Sequence, residues 1–240
     1  MINFFRKIRY NLMEQNKTGK YLKYAIGEIV LVVIGILIAI SINNWNENRK
    51  IKIKEIKSLI ELRKDLNQNL NDISGNIISL QNCKKSNEII IYHIENNIAY
   101  NDSLDYHFSM LYPFITFTIN QTTYETLKQN GMELISNDSL RSSISDIYSI
   151  KFKSYQTFEN TYFVNHYLSY IKPMMISAFT SYEIYSNAHP KNYNQFIKNS
   201  EYKQILNVTI GTCGNFIRMQ SNLKTEVQNL IDLVNNEIGQ

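Results

Sequence analysis

The longest apolar run of the chain lies near its N-terminus, at residues 25–42, and it holds a single charged side chain, Glu28. At a rise of 1.5 Å per residue, a helix of this length spans ~27 Å, close to the thickness of the hydrocarbon core of a bilayer. The pattern therefore predicts one transmembrane helix, at residues 24–44. This helix separates a short tail, residues 1–23, from a large polar body, residues 45–240.

A cleaved signal sequence contains a similar apolar run, so the residues that follow the run matter. No A-x-A cleavage pattern follows Ile42, and the next residues are Asn43, Asn44, Trp45 and Asn46. Tryptophan is enriched where a membrane helix meets water, and the run is longer than a usual signal core. The sequence therefore favours an uncleaved anchor in contact with membrane lipid, with Trp45 as its interfacial residue.

Small residues within the span form a candidate surface for packing against another helix. Gly27, Gly35 and Ala39 follow one another at spacings of eight and four residues, so they share one helical face. Small residues four apart let two membrane helices approach closely, which would permit a homodimer. Such pairs are also common by chance, and both interpretations stay open.

Glu28 is the one carboxylate inside the predicted span. An ionisable side chain within a membrane helix is expensive, and it often marks a contact with a partner or with lipid. Glu28 also lies close to the tail side of the span, where it could reach the headgroups or pair with Lys20 or Lys23. The sequence leaves both roles open.

The positive charge of the chain lies in its tail. Residues 1–23 carry six basic side chains and one acidic, whereas residues 43–240 carry 19 of each sign. The tail is suited to anionic lipid headgroups, either as an interfacial helix with Phe4, Ile8 and Leu12 on one face or as a disordered segment. The neutral body lacks the basic face typical of nucleic-acid binding, so no nucleic-acid partner is expected.

The same charges bear on orientation. A short basic tail before the first span favours the cytoplasm, which would place the body outside the inner membrane. A cytoplasmic body is the alternative, because five basic residues also follow the span: Arg49, Lys50, Lys52, Lys54 and Lys57.

Periodic apolar residues predict an all-α bundle for the body. The first long helix has two heptad rows: Leu59, Leu66, Ile73, Leu80, Asn87 and Ile94, and Ile56, Arg63, Leu70, Ile77, Lys84, Ile91 and Ile98. The second has an apolar stripe and is expected to end near Ile171, before Pro173: Leu140, Ile144, Ile147, Tyr155, Phe158 and Tyr162.

The last long helix begins near Ser200, with an apolar face from Tyr202 to Ile238, and Gly211 and Gly214 suggest a bend or a close crossing within it. Three shorter stretches complete the body. Residues 114–119 are β-branched and aromatic and predict a strand or an extended loop. Gly131 is expected to stop a short helix. Residues 174–186 favour helix.

The two cysteines, Cys83 and Cys213, are 130 residues apart, a separation that fits neither a metal motif nor a disulfide framework. They are either two buried or free thiols or a single long-range disulfide. A disulfide would require an oxidising compartment, which fits a body outside the inner membrane.

Five stretches of the chain match a pattern seen in one known family. They are the leading FFRKIR, the stretch from Tyr21 to Arg49 (YLKYAIGEIVLVVIGILIAISINNWNENR), and residues 101–104, 123–127 and 135–141. In these residues the chain resembles small uncharacterised membrane proteins of flavobacteria and their relatives, which contain a domain of unknown function. The resemblance extends to about residue 165. It implies a single-pass bacterial membrane protein with a helical body, and it supplies no activity. Ser41 stands where that family usually has a longer side chain.

The usual motifs of nucleophilic hydrolases, dinucleotide and phosphate-binding loops and zinc proteases do not occur, and the four histidines have no ligand spacing. We therefore expect no enzyme and no cofactor, but a membrane-anchored interaction or structural protein with a membrane or envelope protein as partner. One alternative is a ligand sensor that acts through a membrane partner, and another is an enzyme with an unrecognised site. The irregular segment Pro113–Gly131 is the candidate functional patch, because loops on a rigid scaffold often carry binding.

Overall fold

The computed structural model describes residues 6, 7, 10 and 18–239. The chain divides into two compact units, Met1–Glu55 and Ile56–Gln240. One helix of the described part is long and apolar enough to cross a membrane, by length and composition. The predicted face of Phe4, Ile8 and Leu12 lies outside the described residues. The predicted domain boundaries, at residues 23/24 and 44/45, stay predictions.

Helices dominate the described chain, so the all-α prediction is confirmed. The helices are α1 (Thr18–Glu95), α2 (Ser103–Ser109), α3 (Thr122–Asn130), a 3₁₀ turn (Met132–Leu134), α4 (Asp138–Asp146), α5 (Phe152–Phe158), α6 (Lys172–Ala178), α7 (Tyr193–Lys198) and α8 (Ser200–Ile238). Three π-helical segments join α4, α5 and α6: Ile147–Lys151, Glu159–Val164 and Tyr167–Ile171. Two short strands, β1 (Phe179–Glu183) and β2 (Asn187–Pro190), pair antiparallel.

In the second unit, α1 buries one of its two predicted rows. Every member of the row from Leu59 to Ile94 is buried. The predicted second row, from Ile56 to Ile98, is only half-buried apart from Ile91. The row that is buried instead lies one helical turn beyond the first: Leu62, Asn69, Asn76, Cys83 and Ile90. Its two asparagines obscure it in the sequence, because amides do not count as apolar.

The backbone stays helical from residue 138 to residue 178 through the three π segments. A π turn inserts one extra residue and so rotates the buried face along the sequence. Leu140, Ile144, Ile147 and Tyr155 are buried as predicted, but Tyr162 is 58% exposed. Phe163, the next residue of the segment Glu159–Val164, takes the core position and is 2% exposed. The predicted stripe is thus wrong at Tyr162, whereas Phe158 is half-buried and packs against the core.

The predicted end of this helix near Ile171 is also wrong. Pro173 lies in the first turn of α6, directly after the last π segment, and the helical backbone continues past it. The helix ends at Ala178. The expected helix at residues 174–186 is replaced beyond that point by β1, whose partner β2 follows a turn with Tyr185 at φ +63°.

The last helix matches its predicted face. Ile205, Thr209, Phe216 and nine further residues of α8 are buried. Asn199, rather than Ser200, caps its N-terminus by accepting the N–H groups of Glu201 and Tyr202. A Cβ built on Gly211 or Gly214 would meet nothing within 4 Å, so neither glycine marks a close crossing.

Substitutions at the adjacent residues Tyr162 and Phe163 test whether the π segment shifts the buried face of the second long helix. Phe163 packs its ring 4.9 Å from that of Phe216 and 4.6 Å from that of Tyr112. We expect Phe163→Ala to lower the free energy of unfolding by about 3–5 kcal/mol, because it leaves a core cavity. We expect Tyr162→Ala to lower it by less than about 1 kcal/mol. Chemical denaturation measures both values, and equal losses would contradict the π-shifted face.

Candidate functional site

Residues 25–42 of α1 form an apolar surface with a single charged residue, Glu28. Their large apolar side chains are each between 45% and 63% exposed, and none is buried in the described chain. A soluble helix of this composition would be expected inside a core. The exposed surface suits a lipid environment, in which every face of the helix meets acyl chains.

The predicted packing residues lie on this exposed helix. A Cβ added to Gly27 or Gly35 would meet nothing within 4 Å, and Ala39 is exposed. The face is therefore open for a second helix or for lipid, and pairing through it stays a prediction. Glu28, in the neighbouring position, is partly exposed.

Trp45 lies just beyond the span and is 65% exposed. The guanidinium of Arg49, one turn later, sits 5.9 Å from the centre of its ring. This cation–π pair places an amphipathic ring beside a cation that suits phosphate headgroups. The geometry fits the interfacial role predicted for Trp45.

Cys83 and Cys213 are brought together by the fold. Cys83 lies on α1 and Cys213 on α8, both are 0% exposed, and their sulfur atoms are 3.5 Å apart. Both are free thiols in the structure. This geometry is compatible with both interpretations left open by the sequence, a pair of buried thiols and a disulfide.

The candidate patch begins with an extended segment, defined here as residues 114–121, which joins α2 to α3. It forms no strand, so the prediction of a strand or an extended loop resolves to the loop. Phe117 is its buried anchor, at 3% exposure, with its ring 5.2 Å from that of Phe152. A buried extended backbone needs hydrogen-bond partners, and without a neighbouring strand they must come from side chains.

Polar side chains of α1 supply several of these partners. The side-chain amide of Asn69 donates to the backbone carbonyl of Asn120 at 2.9 Å. Its side-chain oxygen accepts the backbone N–H of Asn120 at 2.7 Å. One turn later, the carboxylate of Asp72 accepts the N–H of Thr118 at 3.2 Å. One turn earlier, Asp65 accepts the N–H of Thr123 at 2.8 Å, which satisfies a free donor in the first turn of α3.

The opposite side of the extended segment is held by the second long helix. The carboxylate of Glu159 accepts the N–H of Phe117 at 3.1 Å, and Gln156 donates to the carbonyl of Phe117 at 3.3 Å. The hydroxyl of Tyr155 also donates to Glu159, at 3.3 Å. Residue 117 thus bonds to side chains through both its N–H and its carbonyl, as it would to a neighbouring strand.

Two of these carboxylates have a perturbed protonation equilibrium. Burial raises the pKa of Glu159, although the N–H of Phe117 and the hydroxyl of Tyr155 pull it down. Burial likewise raises the pKa of Asp72 against the donors of Thr118 and Asn76. Perturbed carboxylates can mark catalytic sites, but structural networks perturb them too. Here each carboxylate accepts a backbone N–H of the extended segment, which is a structural task.

Two of the four histidines, His166 and His189, are also engaged in local hydrogen-bond contacts. His166 lies 2.8 Å from the hydroxyl of Thr209, and His189 lies 3.0 Å from both Asp105 and the hydroxyl of Tyr100. Among residues 6, 7, 10 and 18–239, no group of three or more His, Cys, Asp or Glu side chains could hold a metal ion.

A family model matches residues 28–167 of the sequence. It is described as a family of unknown function, DUF6090. The chain belongs to the DUF6090 family. The matched range starts inside the apolar run and contains the extended segment with all of its polar partners named above, from Asp65 to Glu159. No curated protein and no solved structure matches the chain.

The sequence predicted the position of this patch but not the residues that hold it in this DUF6090 chain. Asp65, Asn69 and Asp72 follow one another at spacings of four and three, so they share one face of α1. This polar row beside the apolar heptad was the available signal. It could be recognised only with a buried partner in view, because a polar row on a helix usually faces solvent.

Asn69 and its neighbour Asn67 form a matched pair for testing the contact. Asn69 is 0% exposed, whereas Asn67 is exposed and donates only to the carbonyl of Arg63. We expect Asn69→Ala to lower the free energy of unfolding by about 2–4 kcal/mol, because two backbone groups of Asn120 lose their partner. We expect Asn67→Ala to change it by less than about 0.5 kcal/mol.

Denaturant titration of the two variants measures these changes, and amide hydrogen exchange at Asn120 gives a local readout. We expect exchange at this amide to accelerate in Asn69→Ala alone. If both variants exchange as slowly as the wild type at residue 120, the amide pair does not hold the extended segment.

Proposed function

We propose that this DUF6090 chain is a single-pass protein of the bacterial inner membrane, of the flavobacterial type, with its N-terminus in the cytoplasm. Its helical body then lies outside, where it binds a protein or another component of the cell envelope. One observation carries the anchor: the apolar side chains of residues 25–42 are exposed all around α1. Burial in lipid is the environment in which such a surface is stable.

A binding or structural role is favoured over catalysis by the use made of the carboxylates in the candidate patch. Asp65, Asp72 and Glu159 each accept at least one backbone N–H, and the bonds fix the path of residues 117–123. A catalytic carboxylate must instead reach a substrate proton at hydrogen-bond distance. The groups most suited to acid–base chemistry are therefore engaged in holding the fold together.

Exposed aromatic and aliphatic side chains of the second long helix are consistent with a binding role. Ile150, Tyr162, Tyr170 and Ile176 are between 54% and 68% exposed. Tyrosine offers a large apolar area together with a hydroxyl, which is why it is enriched in protein interfaces.

Paired arginine substitutions on the same helix test the anchor. Ile34→Arg with Leu37→Arg places two charges in the span, each costing about 2.5–3.5 kcal/mol at the centre of a membrane helix. Ile51→Arg with Ile53→Arg is the matched control, since both residues are exposed but lie beyond the span. We expect the wild type and the control to stay in the membrane pellet at alkaline pH, and the span variant to be released or degraded.

A span variant that sediments like the wild type would refute the anchor. Orientation is read separately, with two reporters fused after Gln240, one active only outside the inner membrane and one only inside. We expect activity from the outside reporter. Activity from the inside reporter would place the body in the cytoplasm and reverse the proposed orientation, because the basic residues after the span would then dominate.

A membrane-linked sensor is the second candidate. One helix, α1, contains both the apolar run with Glu28 and the first arm of the bundle. Helical elements can transmit small shifts between sites, so a membrane partner could read a ligand bound to the body.

Glu28→Gln separates these two candidates in cells. It removes the charge from the span and keeps the shape of the side chain. For an interaction protein, we expect amine-reactive crosslinking in intact cells to capture the same partner with Glu28→Gln as with the wild type. Loss of the crosslinked product, with the variant present in the membrane at wild-type level, would favour the sensor.

A further inference from the structure

The two cysteines meet in the core of the second unit, although 130 residues separate them in the chain. Cys83 belongs to the buried row of α1 that includes Asn76 and Ile90, and Cys213 belongs to the buried face of α8. Their sulfur atoms are in contact at 3.5 Å, and both residues are fully buried. The pair therefore joins the first and the last helix of the body.

A disulfide would fit between these helices with little rearrangement of the sulfur atoms. An S–S bond is ~2.05 Å long, so the two atoms need to approach by ~1.5 Å. The thiol of Cys213 already points at the sulfur of Cys83, to which it donates a weak hydrogen bond.

Oxidation would leave the carbonyl of Leu111 with a hydrogen-bond donor. The thiol of Cys83 donates to the carbonyl of Leu111 at 3.4 Å, and this donor would be lost. The same carbonyl also accepts the side-chain amide of Asn87 at 3.2 Å. Because that second donor remains, no buried carbonyl would lose its last partner, which is the usual cost of removing a buried donor.

We propose that Cys83 and Cys213 are oxidised to an intramolecular disulfide that joins α1 to α8. The inference rests on the part of the proposed function that places the body outside the cytoplasm, because disulfides persist in oxidising compartments. It adds a covalent modification that neither the family nor the anchor implies.

The oxidant is a second disulfide, either of a thiol oxidoreductase or of a small molecule such as oxidised glutathione. One cysteine thiolate attacks this disulfide, forms a mixed disulfide and releases one oxidant thiolate. The other cysteine thiolate then attacks the cysteine sulfur of the mixed disulfide and releases the second. The two cysteines lose two electrons and two protons in total, and the oxidant becomes two thiols.

We expect this thiol–disulfide exchange to take place during folding, before the core around the two cysteines is packed. The side-chain contact with Cys213 and the burial of the site raise the pKa of Cys83, so the thiol form dominates in the closed fold. The thiolate is the reactive form, and a buried thiol is both protonated and inaccessible. The same burial would protect the completed disulfide from reductants.

Thiol trapping of the full chain in its bacterial host tests the proposal. Cells are quenched in acid, denatured, alkylated with a first maleimide, reduced, and alkylated with a second maleimide of different mass. We expect mass spectrometry to find the second label on both cysteines in equal fractions. Cys83→Ala is the control, in which Cys213 should carry the first label. A non-reducing gel should show the wild type as a monomer.

Thermal unfolding of the purified full chain in detergent provides a second readout that needs no variant. Closing a loop of this length should raise the unfolding midpoint by roughly 10 °C, a shift that is lost when the chain is reduced. Cys83→Ala should show no effect of reductant if it folds.

If both cysteines of the wild type carry the first maleimide, they were reduced in the cell, and the proposal is overturned. The reporters fused after Gln240 show what has failed in that case. Reduced cysteines with an outside body refute the disulfide alone. Reduced cysteines with an inside body refute the proposed orientation, and the disulfide with it.

Discussion

A buried backbone that forms no strand must find its hydrogen-bond partners among side chains, and this requirement organises the second unit of the chain. The extended segment, residues 114–121, carries Phe117 into the core. Asn69 acts towards Asn120 as a neighbouring strand would, with one donor and one acceptor. Because an unpaired buried amide costs about 1–3 kcal/mol, the polar residues in the buried face of α1 are as necessary as the apolar ones.

Periodicity predicted the helices because most of their buried positions are apolar, and it failed where a position obeys another rule. The row of Leu59 and Leu66 was recognised from the sequence, and the row of Asn69 and Asn76 was not, since the amides there serve hydrogen bonding. Tyr162 was wrongly assigned to the core because a π segment adds a residue to the turn that contains it. No local residue pattern distinguishes such an insertion from a regular helix.

The candidate patch also shows how far the sequence alone could predict a functional region. Its position followed from irregular sequence between regular helices, and Gly131, at φ +106°, takes the helix-stop position predicted for it. The residues that hold the patch are 39 to 58 positions distant from their partners in the chain. Such long-range pairs are set by the packing of whole helices, so a single sequence gives no direct sign of them. The contact between Cys83 and Cys213 belongs to the same class.

The single helix α1 carries two different patterns of apolar side chains. In residues 25–42 of α1 the large apolar side chains are exposed on every face and Glu28 is the single charge, which suits a lipid environment. In residues 59–94 one face is apolar and buried, as packing against the bundle requires. The change of pattern lies between Trp45, with Arg49 over its ring, and Leu59. The change of pattern therefore separates the stretch of α1 that suits lipid from the stretch that packs in the body, and it does so without reference to either end of the helix.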